Sequence, residues 1–280
     1  MKWFIGTFIF LSLTGAMAQS TFPYKLGKKD FLLAPLSAAA FISSELLDKK
    51  KFNLTLEEIQ NLDRQSIGSF DRGATYNWSK SAEQFSDVPE QALRYMPVLY
   101  AIPVLKNKNW NNGVTLGVMF GEVVLLSAGV TGITKSLTKR IRPYLYNTSF
   151  TAAERFAMQG EEAPIASTSF FSGHTTTAFA GAVFLSKTFT DIYGKTTWSK
   201  VIWVSSLSLA TATAIARVEA GVHFPTDVLM GAVVGSAIGY FIPVLHKTAQ
   251  EKITFAVFPN QLYVTYKLTS RKDATKTLSH

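Results

Sequence analysis

The chain has 280 residues, no cysteine and a formal net charge of +9 at pH 7. The lack of cysteine excludes a disulfide framework, a thiol nucleophile and a cysteine-based metal site. The positive charge favours anionic partners, such as acidic lipid headgroups or phosphorylated substrates, and the dispersed basic residues without a binding motif argue against nucleic acid.

Residues 1–18 have the pattern of a signal peptide. Lys2 supplies the charged start, residues 3–13 form a short apolar core, and Ala16 and Ala18 frame a small-residue cleavage site. No cysteine follows, so lipoprotein attachment is excluded. We expect a cleaved signal that places the mature chain outside the cytoplasm, and an uncleaved anchor is the alternative.

Residues 19–90 are mixed in polarity and predict an N-terminal periplasmic segment with short helices. One short helix is expected over residues 35–47. Thr55 and Glu58 are spaced as a capping box that opens a second one. Residues 71–86 are polar and predict a loop.

Residues 91–247 form the predicted helical core. Several of its apolar runs approach the length that crosses a bilayer, and glycine recurs in them, as is typical of closely packed membrane helices. The fold class predicted is therefore all-α, a multi-helix transmembrane bundle. The apolar runs cover residues 89–105 (interrupted by Pro97 and Pro103), 114–134, 170–189, 201–216 and 227–245.

The first motif is basic. Seven residues, about two helical turns, separate Lys135 from Arg142, so both are expected on one helix face, and Pro143 is expected to close that helix. A guanidinium can grip two phosphate oxygens at once, and an ammonium adds a point charge. The pair predicts part of an anion-binding site.

The second motif is Ser172-Gly173-His174, at the start of an apolar helical run. A helix N-terminus presents unpaired N–H groups and a partial positive charge to an anion, and glycine lets the backbone approach closely. His174 is then placed to protonate a leaving oxygen.

The third motif comprises Arg217, His223 and Asp227, with Pro225 as the expected first residue of the following helix. The four-residue spacing from His223 to Asp227 predicts that the carboxylate accepts the proton of one imidazole nitrogen and directs the other nitrogen at phosphorus. This is a histidine–aspartate pair without the serine of a catalytic triad.

Residues 248–280 form the predicted C-terminal tail. Residues 253–268 alternate apolar and polar side chains around a Pro-Asn pair, which predicts a short β-hairpin. An isolated hairpin is only marginally stable, so this one must pack on another part of the molecule.

Basic loops predict how the helices are oriented. With residue 19 in the periplasm, the lysines near 106–108, 187–200 and 247 fall on one side, as the positive-inside tendency expects. All three motifs fall on the other, periplasmic side. Glu122 lies within an expected crossing, roughly 20 Å along the helix from Lys135, and is assigned a bracing role rather than a catalytic one.

The three motifs, in this order and at this spacing, resemble the signature of the type 2 phosphatidic acid phosphatase superfamily over roughly residues 95–245. This family includes membrane lipid phosphatases, bacterial acid phosphatases and vanadium haloperoxidases, and the apolar helix after Asp227 resembles the membrane branch.

The resemblance implies a metal-independent phosphatase without a cofactor. It implies that His223 is the nucleophile that becomes a phosphohistidine, that Asp227 orients it, and that His174 is the general acid. The phosphate is then held by Lys135, Arg142, Ser172, Gly173 and Arg217.

Two positions depart from the usual family pattern. Phe171 stands where a proline usually precedes Ser-Gly-His, and Ala216 stands where a serine usually precedes the arginine of the third motif. Neither position supplies charge or a proton. The alanine removes one possible hydroxyl donor to phosphate, so a modest change in affinity is the expected consequence.

The leading hypothesis is a phosphatase in the bacterial inner membrane that acts at the periplasmic face on a phosphorylated lipid. Undecaprenyl diphosphate, lipid A phosphate and phosphatidylglycerol phosphate are the candidate substrates. The loop 144–170, which holds Glu154, Arg155, Glu161 and Glu162, is expected above the phosphate. The alternatives are a soluble periplasmic acid phosphatase, a vanadate-dependent haloperoxidase, a non-enzymatic membrane scaffold and, for localisation, the outer membrane.

Overall fold

The computed structural model describes residues 22–106, 110–159, 165–247, 253–258 and 261–266. The predicted signal peptide lies outside these residues, as does most of the predicted C-terminal tail.

The described chain is mainly helical, which confirms the α-helical part of the predicted fold class. Short 3₁₀ turns at 48–50, 64–66, 73–76 and 143–146 link some of the helices. The helices are α1 (Asp30–Leu47), α2 (Leu56–Gln60), α3 (Ser69–Arg72), α4 (Lys80–Lys106), α5 (Trp110–Thr138), α6 (Ala152–Met158), α7 (Gly173–Tyr193), α8 (Thr197–Glu219) and α9 (Pro225–His246).

Local sequence signals set several helix starts. The Thr55 side chain accepts from the Glu58 N–H while the Glu58 carboxylate accepts from the Thr55 N–H, so the predicted capping box is formed. Ser172 caps α7, and Pro225 is the first residue of α9 as predicted.

Two predictions about the helices were wrong. The region 71–86 is not a loop, because it contains the end of α3 and the first turns of α4. Arg142 does not share a helix with Lys135, because α5 ends at Thr138 and Lys139 adopts a positive φ of 50°. Arg142 instead has extended backbone, and Pro143 opens a 3₁₀ turn.

Helix α7 is the centre of the bundle and packs against α4, α5, α8 and α9, while α1 packs along α5. The contact of α7 with α9 depends on glycine. A Cβ on Gly235 would lie 2.2 Å from the Thr176 carbonyl oxygen, and one on Gly239 would lie 2.4 Å from the Ala180 carbonyl oxygen. The prediction that glycines allow close helix packing is therefore confirmed at these positions.

Four segments of the described chain are long and apolar enough to cross a membrane: 30–47, 110–146, 197–219 and 225–246. Their outer faces are apolar. Val204 on α8 and Val233 on α9 expose 68% and 65% of their surface, respectively. An outer surface of this kind is typical of a helix bundle surrounded by lipid.

Two segments after α9 are paired antiparallel in register, β1 (Ile253–Phe258) and β2 (Gln261–Tyr266). The side chains of both segments lie outside the described residues. The C-terminal hairpin as a packed part of the fold therefore stays a prediction.

Candidate active site

A cavity of about 340 Å³ opens at one end of the bundle, where α5 and α8 end and α7 and α9 begin. Side chains from all three motifs meet in it, although they are up to 88 positions apart in the chain. The motif residues that line it are Lys135, Arg142, Gly173, His174, Arg217 and His223.

Two of the three basic side chains are held by neutral acceptors, most of them in the loop that precedes α7 and one in the turn between α8 and α9. The Lys135 ammonium donates to the Thr168 carbonyl at 2.7 Å. The Arg142 guanidinium donates to the Thr168 hydroxyl at 2.8 Å, to the Ile165 carbonyl at 3.0 Å and to the Val222 carbonyl at 2.5 Å. Since these acceptors are neutral, both positive charges remain available to a bound anion.

Arg217 occupies the last turn of α8 and is 2% exposed. Its Nη1 donates to the Ser86 hydroxyl at 3.2 Å and lies 3.7 Å from a carboxylate oxygen of Glu83, both on α4. Its Nε has no hydrogen-bond partner within the described residues. A buried guanidinium with an unused donor is suited to an anion that enters the cavity.

Ser172 and Gly173 form the N-terminus of α7. The Ser172 hydroxyl accepts from the Thr175 N–H at 3.4 Å and is fully buried, so it caps the helix rather than lining the cavity. Gly173 does line the cavity, and a Cβ there would contact Thr131 at 3.5 Å. The positive end of the α7 dipole thus faces the same space as the three basic side chains.

His174 faces the cavity with Nε2 3.0 Å from a carboxylate oxygen of Asp87 on α4. No sequence motif pointed to Asp87, which lies in a segment without a recognisable pattern. A carboxylate at this distance favours a protonated imidazole, the form that a general acid requires. Burial, and then the charges of Arg217 and Lys135, act in the other direction and lower the pKa of His174 to about 3. An anion that offsets those positive charges raises this pKa again.

His223 is 1% exposed and donates from Nδ1 to the Ser169 carbonyl at 2.7 Å. Its Nε2 therefore carries the lone pair and lies 3.4 Å from Nη1 of Arg142. Burial, and then the charges of Arg142 and Lys135, lower the pKa of His223 well below its ordinary value. The imidazole is neutral at pH 7, as a nucleophile must be.

Asp227 does not make the direct hydrogen bond to His223 that the four-residue spacing predicted. Its carboxylate is 3.6 Å from Nδ1 and accepts instead from the Ser169 hydroxyl at 2.5 Å and from the Phe224 N–H at 2.8 Å. The reason is local, because Asp227 stands in the first turn of α9 and turns back to cap it. It influences His223 through Ser169, which presents the carbonyl acceptor.

A second ring of polar residues supports Asp227. Arg140 donates to Asp227 at 2.6 Å, to Asp71 at 2.7 Å and to the Thr226 hydroxyl at 2.7 Å. Asp71 in turn accepts from the Thr226 N–H at 2.9 Å. None of these residues belongs to the sequence signature, and the position of Arg140 between Lys135 and Arg142 is the only sign of its role in the sequence.

The turn between α8 and α9 depends on Gly221, which has a φ of 73°. A Cβ at this position would lie 2.1 Å from the Asn77 carbonyl oxygen. This close contact fixes the turn against the segment before α4. Gly221 itself lies two residues before His223.

The two described charged residues of the loop 144–170 have structural partners. Glu154 accepts from the Thr151 N–H at 2.7 Å and caps α6, and Arg155 donates to the Leu145 carbonyl at 2.5 Å. Both side chains organise the loop itself, and the expected position of the loop above the phosphate stays a prediction, with Glu161 and Glu162 outside the described residues.

Residues 116–251 match the model of the PAP2 superfamily, and this segment contains all three motifs. The chain therefore carries a PAP2 superfamily domain, which confirms the resemblance seen in the sequence.

Among curated proteins, the chain is similar to a lipid A 4'-phosphatase of Porphyromonas gingivalis, with 37% identity over 73 residues. The match covers 26% of this chain and 28% of that protein. Among solved structures, it is similar to a transmembrane PAP2-type phosphatidylglycerolphosphate phosphatase from Bacillus subtilis, with 19% identity and a TM-score of 0.36. That comparison covers 78% of this chain and 94% of the other.

Proposed function

We propose that this protein is a metal-independent phosphatase of the membrane, which hydrolyses a phosphate monoester or diphosphate of a lipid through a phosphohistidine at His223. The observation that carries the proposal is the single cavity in which two histidines face three basic side chains and the N-terminus of α7. In such a set, the basic side chains and the helix N-terminus can bind the phosphoryl oxygens. One histidine can attack phosphorus and the other can protonate the leaving group, so no other catalytic group is needed.

In the first step, the lone pair of His223 Nε2 attacks phosphorus and the bond from phosphorus to the lipid oxygen breaks. The electron pair of that bond goes to the lipid oxygen, which takes a proton from His174. Lys135, Arg142 and Arg217 hold the non-bridging oxygens throughout. The negative charge of the bound phosphate, which offsets the cations that lower the pKa of His174, together with Asp87 favours the protonated form of His174 at the start of this step.

In the second step, water attacks the phosphorus of the phosphohistidine. Neutral His174 accepts a proton from that water, the N–P bond breaks, and its electron pair returns to Nε2 of His223. Inorganic phosphate and the original protonation states result. The Ser169 carbonyl keeps the Nδ1 proton in place, so the same nitrogen is nucleophile and leaving group in turn.

The apolar outer face of the helices supports a lipid substrate. A soluble acid phosphatase would bury its apolar helices against each other, yet Val204 and Val233 are largely exposed. With four segments of membrane-crossing length, the cavity would lie near one surface of the bilayer, within reach of a headgroup. We assign that surface to the periplasmic face of the inner membrane from the distribution of basic loops, since Lys187 and Lys247 lie at the opposite end of the bundle. The signal-peptide pattern does not support this orientation, because α1 begins at that opposite end, shortly after the expected cleavage site.

The similarity to a lipid A 4'-phosphatase makes lipid A phosphate the first substrate to test. Undecaprenyl diphosphate and phosphatidylglycerol phosphate are the next substrates to test, because each presents a terminal phosphate at the bilayer surface.

The experiment measures phosphate released by the full chain, purified in detergent with EDTA, from these three lipids and from a soluble aryl phosphate. We expect one lipid to be the preferred substrate. His223→Asn keeps an N–H donor near the position of Nδ1 but removes the nucleophilic nitrogen. It is expected to lower turnover at least 1,000-fold, about 4 kcal/mol in activation free energy.

A pair of lysine variants supplies a matched control. Lys135→Ala removes a charge from the cavity, whereas Lys200→Ala removes one from the exposed surface of α8. The proposal requires loss of activity in the first variant only. Turnover of the soluble ester alone would support the acid phosphatase, bromide oxidation on addition of vanadate would support the haloperoxidase, and full activity in His223→Asn would refute the phosphohistidine.

A further inference from the structure

Three ionisable side chains meet at the end of the bundle opposite the cavity. Asp30 begins α1, His246 ends α9, and Glu122 projects from the first half of α5. One ligand atom from each of them lies within 4.8 Å of the other two. The sequence gives no sign of this cluster, because its residues are 92 and 124 positions apart in the chain, with no recognisable spacing.

Neighbouring backbone groups orient two of these side chains toward each other. Nδ1 of His246 donates to the Ile242 carbonyl at 2.9 Å, so Nε2 carries the lone pair and faces the carboxylates. The Gly27 N–H donates to one oxygen of Asp30, which leaves the other oxygen turned toward His246. Hydrogen bonds of this kind fix metal-binding histidines and carboxylates in their ligating orientation.

The ligand atoms have no other partner. Glu122 is 2% exposed, and neither of its carboxylate oxygens has a hydrogen-bond partner among the described residues. The same holds for Nε2 of His246, which is 3.3 Å from Glu122, and for the inward oxygen of Asp30. Buried electron-pair donors that face each other are costly unless a cation lies between them.

The nearby lysines do not supply that cation. Lys187 and Lys247 both pair with Asp191, which also accepts from the Tyr24 hydroxyl. In the part of the chain that the structure describes, the ion pairs of Asp30 and Glu122 are with His246 alone.

We propose that Asp30, Glu122 and His246 form a structural binding site for a divalent transition metal of the Zn²⁺ type. Such ions bind imidazole nitrogen and carboxylate oxygen at about 2.0–2.2 Å, which places neighbouring ligand atoms roughly 3–3.6 Å apart. The 3.3 Å between His246 and Glu122 fits this geometry, whereas the contact between His246 and Asp30 is closer and has to open to admit the ion. Mg²⁺ and Ca²⁺ prefer oxygen ligands alone, so the imidazole selects against them.

Two carboxylates and a neutral imidazole carry a charge of about −2, which a divalent ion neutralises. The ion would join the start of α1 and the end of α9 to α5. Glu122 is 13 positions from Lys135, roughly 20 Å along α5, so the metal takes no part in the proposed phosphatase reaction.

The test uses the full chain in detergent, stripped with EDTA, returned to EDTA-free buffer, supplied with one to two equivalents of Zn²⁺ and desalted. We expect about one zinc per chain by elemental analysis. Glu122→Gln and His246→Gln are each expected to lower that ratio at least fivefold. Glu90→Gln is the control, because Glu90 is equally buried but paired with Arg94.

Thermal unfolding of the stripped wild-type protein gives a second readout that needs no variant. Zn²⁺ is expected to raise the midpoint, and Mg²⁺ is expected not to. If the protein retains no zinc and Zn²⁺ does not shift the unfolding midpoint, the proposal is overturned. A proton on His246 would then supply the positive charge between the carboxylates. Zinc retained equally by Glu122→Gln would overturn it as well. Neither readout depends on phosphatase activity.

Discussion

Arg140→Gln tests whether the residues behind Asp227 position the nucleophile. The guanidinium donates to Asp227, Asp71 and Thr226 at 2.6–2.7 Å. Glutamine removes the charge and cannot reach all three acceptors. The fully buried Asp227 carboxylate then loses its ion-pair partner but keeps the hydrogen bonds from Ser169 and Phe224.

Removing one partner of a buried ion pair costs about 3–5 kcal/mol. The Arg140 side chain is 28% exposed, so water replaces part of the lost interaction, and we expect the lower end, about 3 kcal/mol. For a protein of this size that loss lowers the unfolding midpoint by about 6–12 °C.

The expected effect on catalysis follows from the link through Ser169. If Asp227 no longer fixes the Ser169 hydroxyl, the carbonyl that holds Nδ1 of His223 moves with it. A displacement of about 1 Å at a reacting atom costs on the order of 100-fold in rate. The fall is expected in kcat with little change in KM, because Arg140 does not line the cavity.

The assay combines thermal unfolding with steady-state kinetics on the preferred substrate. Lys139→Gln is the matched control, since it removes the same charge from the adjacent, exposed position. Equal destabilisation by the two substitutions would refute the argument about the buried ion pair. A rise in KM at unchanged kcat would show that Arg140 binds substrate instead of positioning His223.

Three further predictions concern other parts of the molecule. The pKa of His223 is lowered in the folded state, so below about pH 6.5 the unfolded chain binds a proton that the folded chain does not. Stability should therefore fall as pH decreases from about 6.5, and His223→Asn should show a shallower slope in unfolding midpoint against pH; equal slopes would contradict this. Gly235→Ala should destabilise the protein by about 1–3 kcal/mol, because its Cβ meets a carbonyl oxygen at 2.2 Å. Gly117→Ala, with open space around the new Cβ, should be neutral or stabilising, and a loss of stability in both would refute the packing argument. Asp87→Asn should slow esters with poor leaving groups about 10- to 100-fold more than aryl phosphates, because it removes the charge that favours protonated His174. An equal effect on both kinds of ester would assign Asp87 a purely structural role.

Much of the site was readable from the sequence because the chemistry of phosphate binding needs particular residue types at short spacings. Ser172-Gly173-His174 before an apolar run indicated a helix N-terminus, and Pro225 indicated the start of α9. The apolar runs indicated helices, and the capping box at Thr55 set the start of α2. These features depend on neighbours within about one helical turn, so local physics determines them.

The wrong predictions about the site concern residues whose hydrogen-bond partners come from a distant part of the chain and not from neighbours in the sequence. The spacing of His223 and Asp227 suggested a direct hydrogen bond, but Ser169, 54 positions from His223, provides a better aligned acceptor. Arg142 was expected on a helix with Lys135, yet carbonyls of Ile165 and Val222 hold it in an extended segment.

The sequence by itself determined the helical class, the apolar character of the bundle and the residue types at the candidate site. Only the tertiary structure decided which polar groups share a partner: Asp71 with Arg140, Asp87 with His174, and Asp30 with Glu122 and His246. The reason is physical. Helix and cap signals act between near neighbours, whereas a buried charge takes whichever partner the packed helices bring within about 3 Å, and chain separation does not limit that choice.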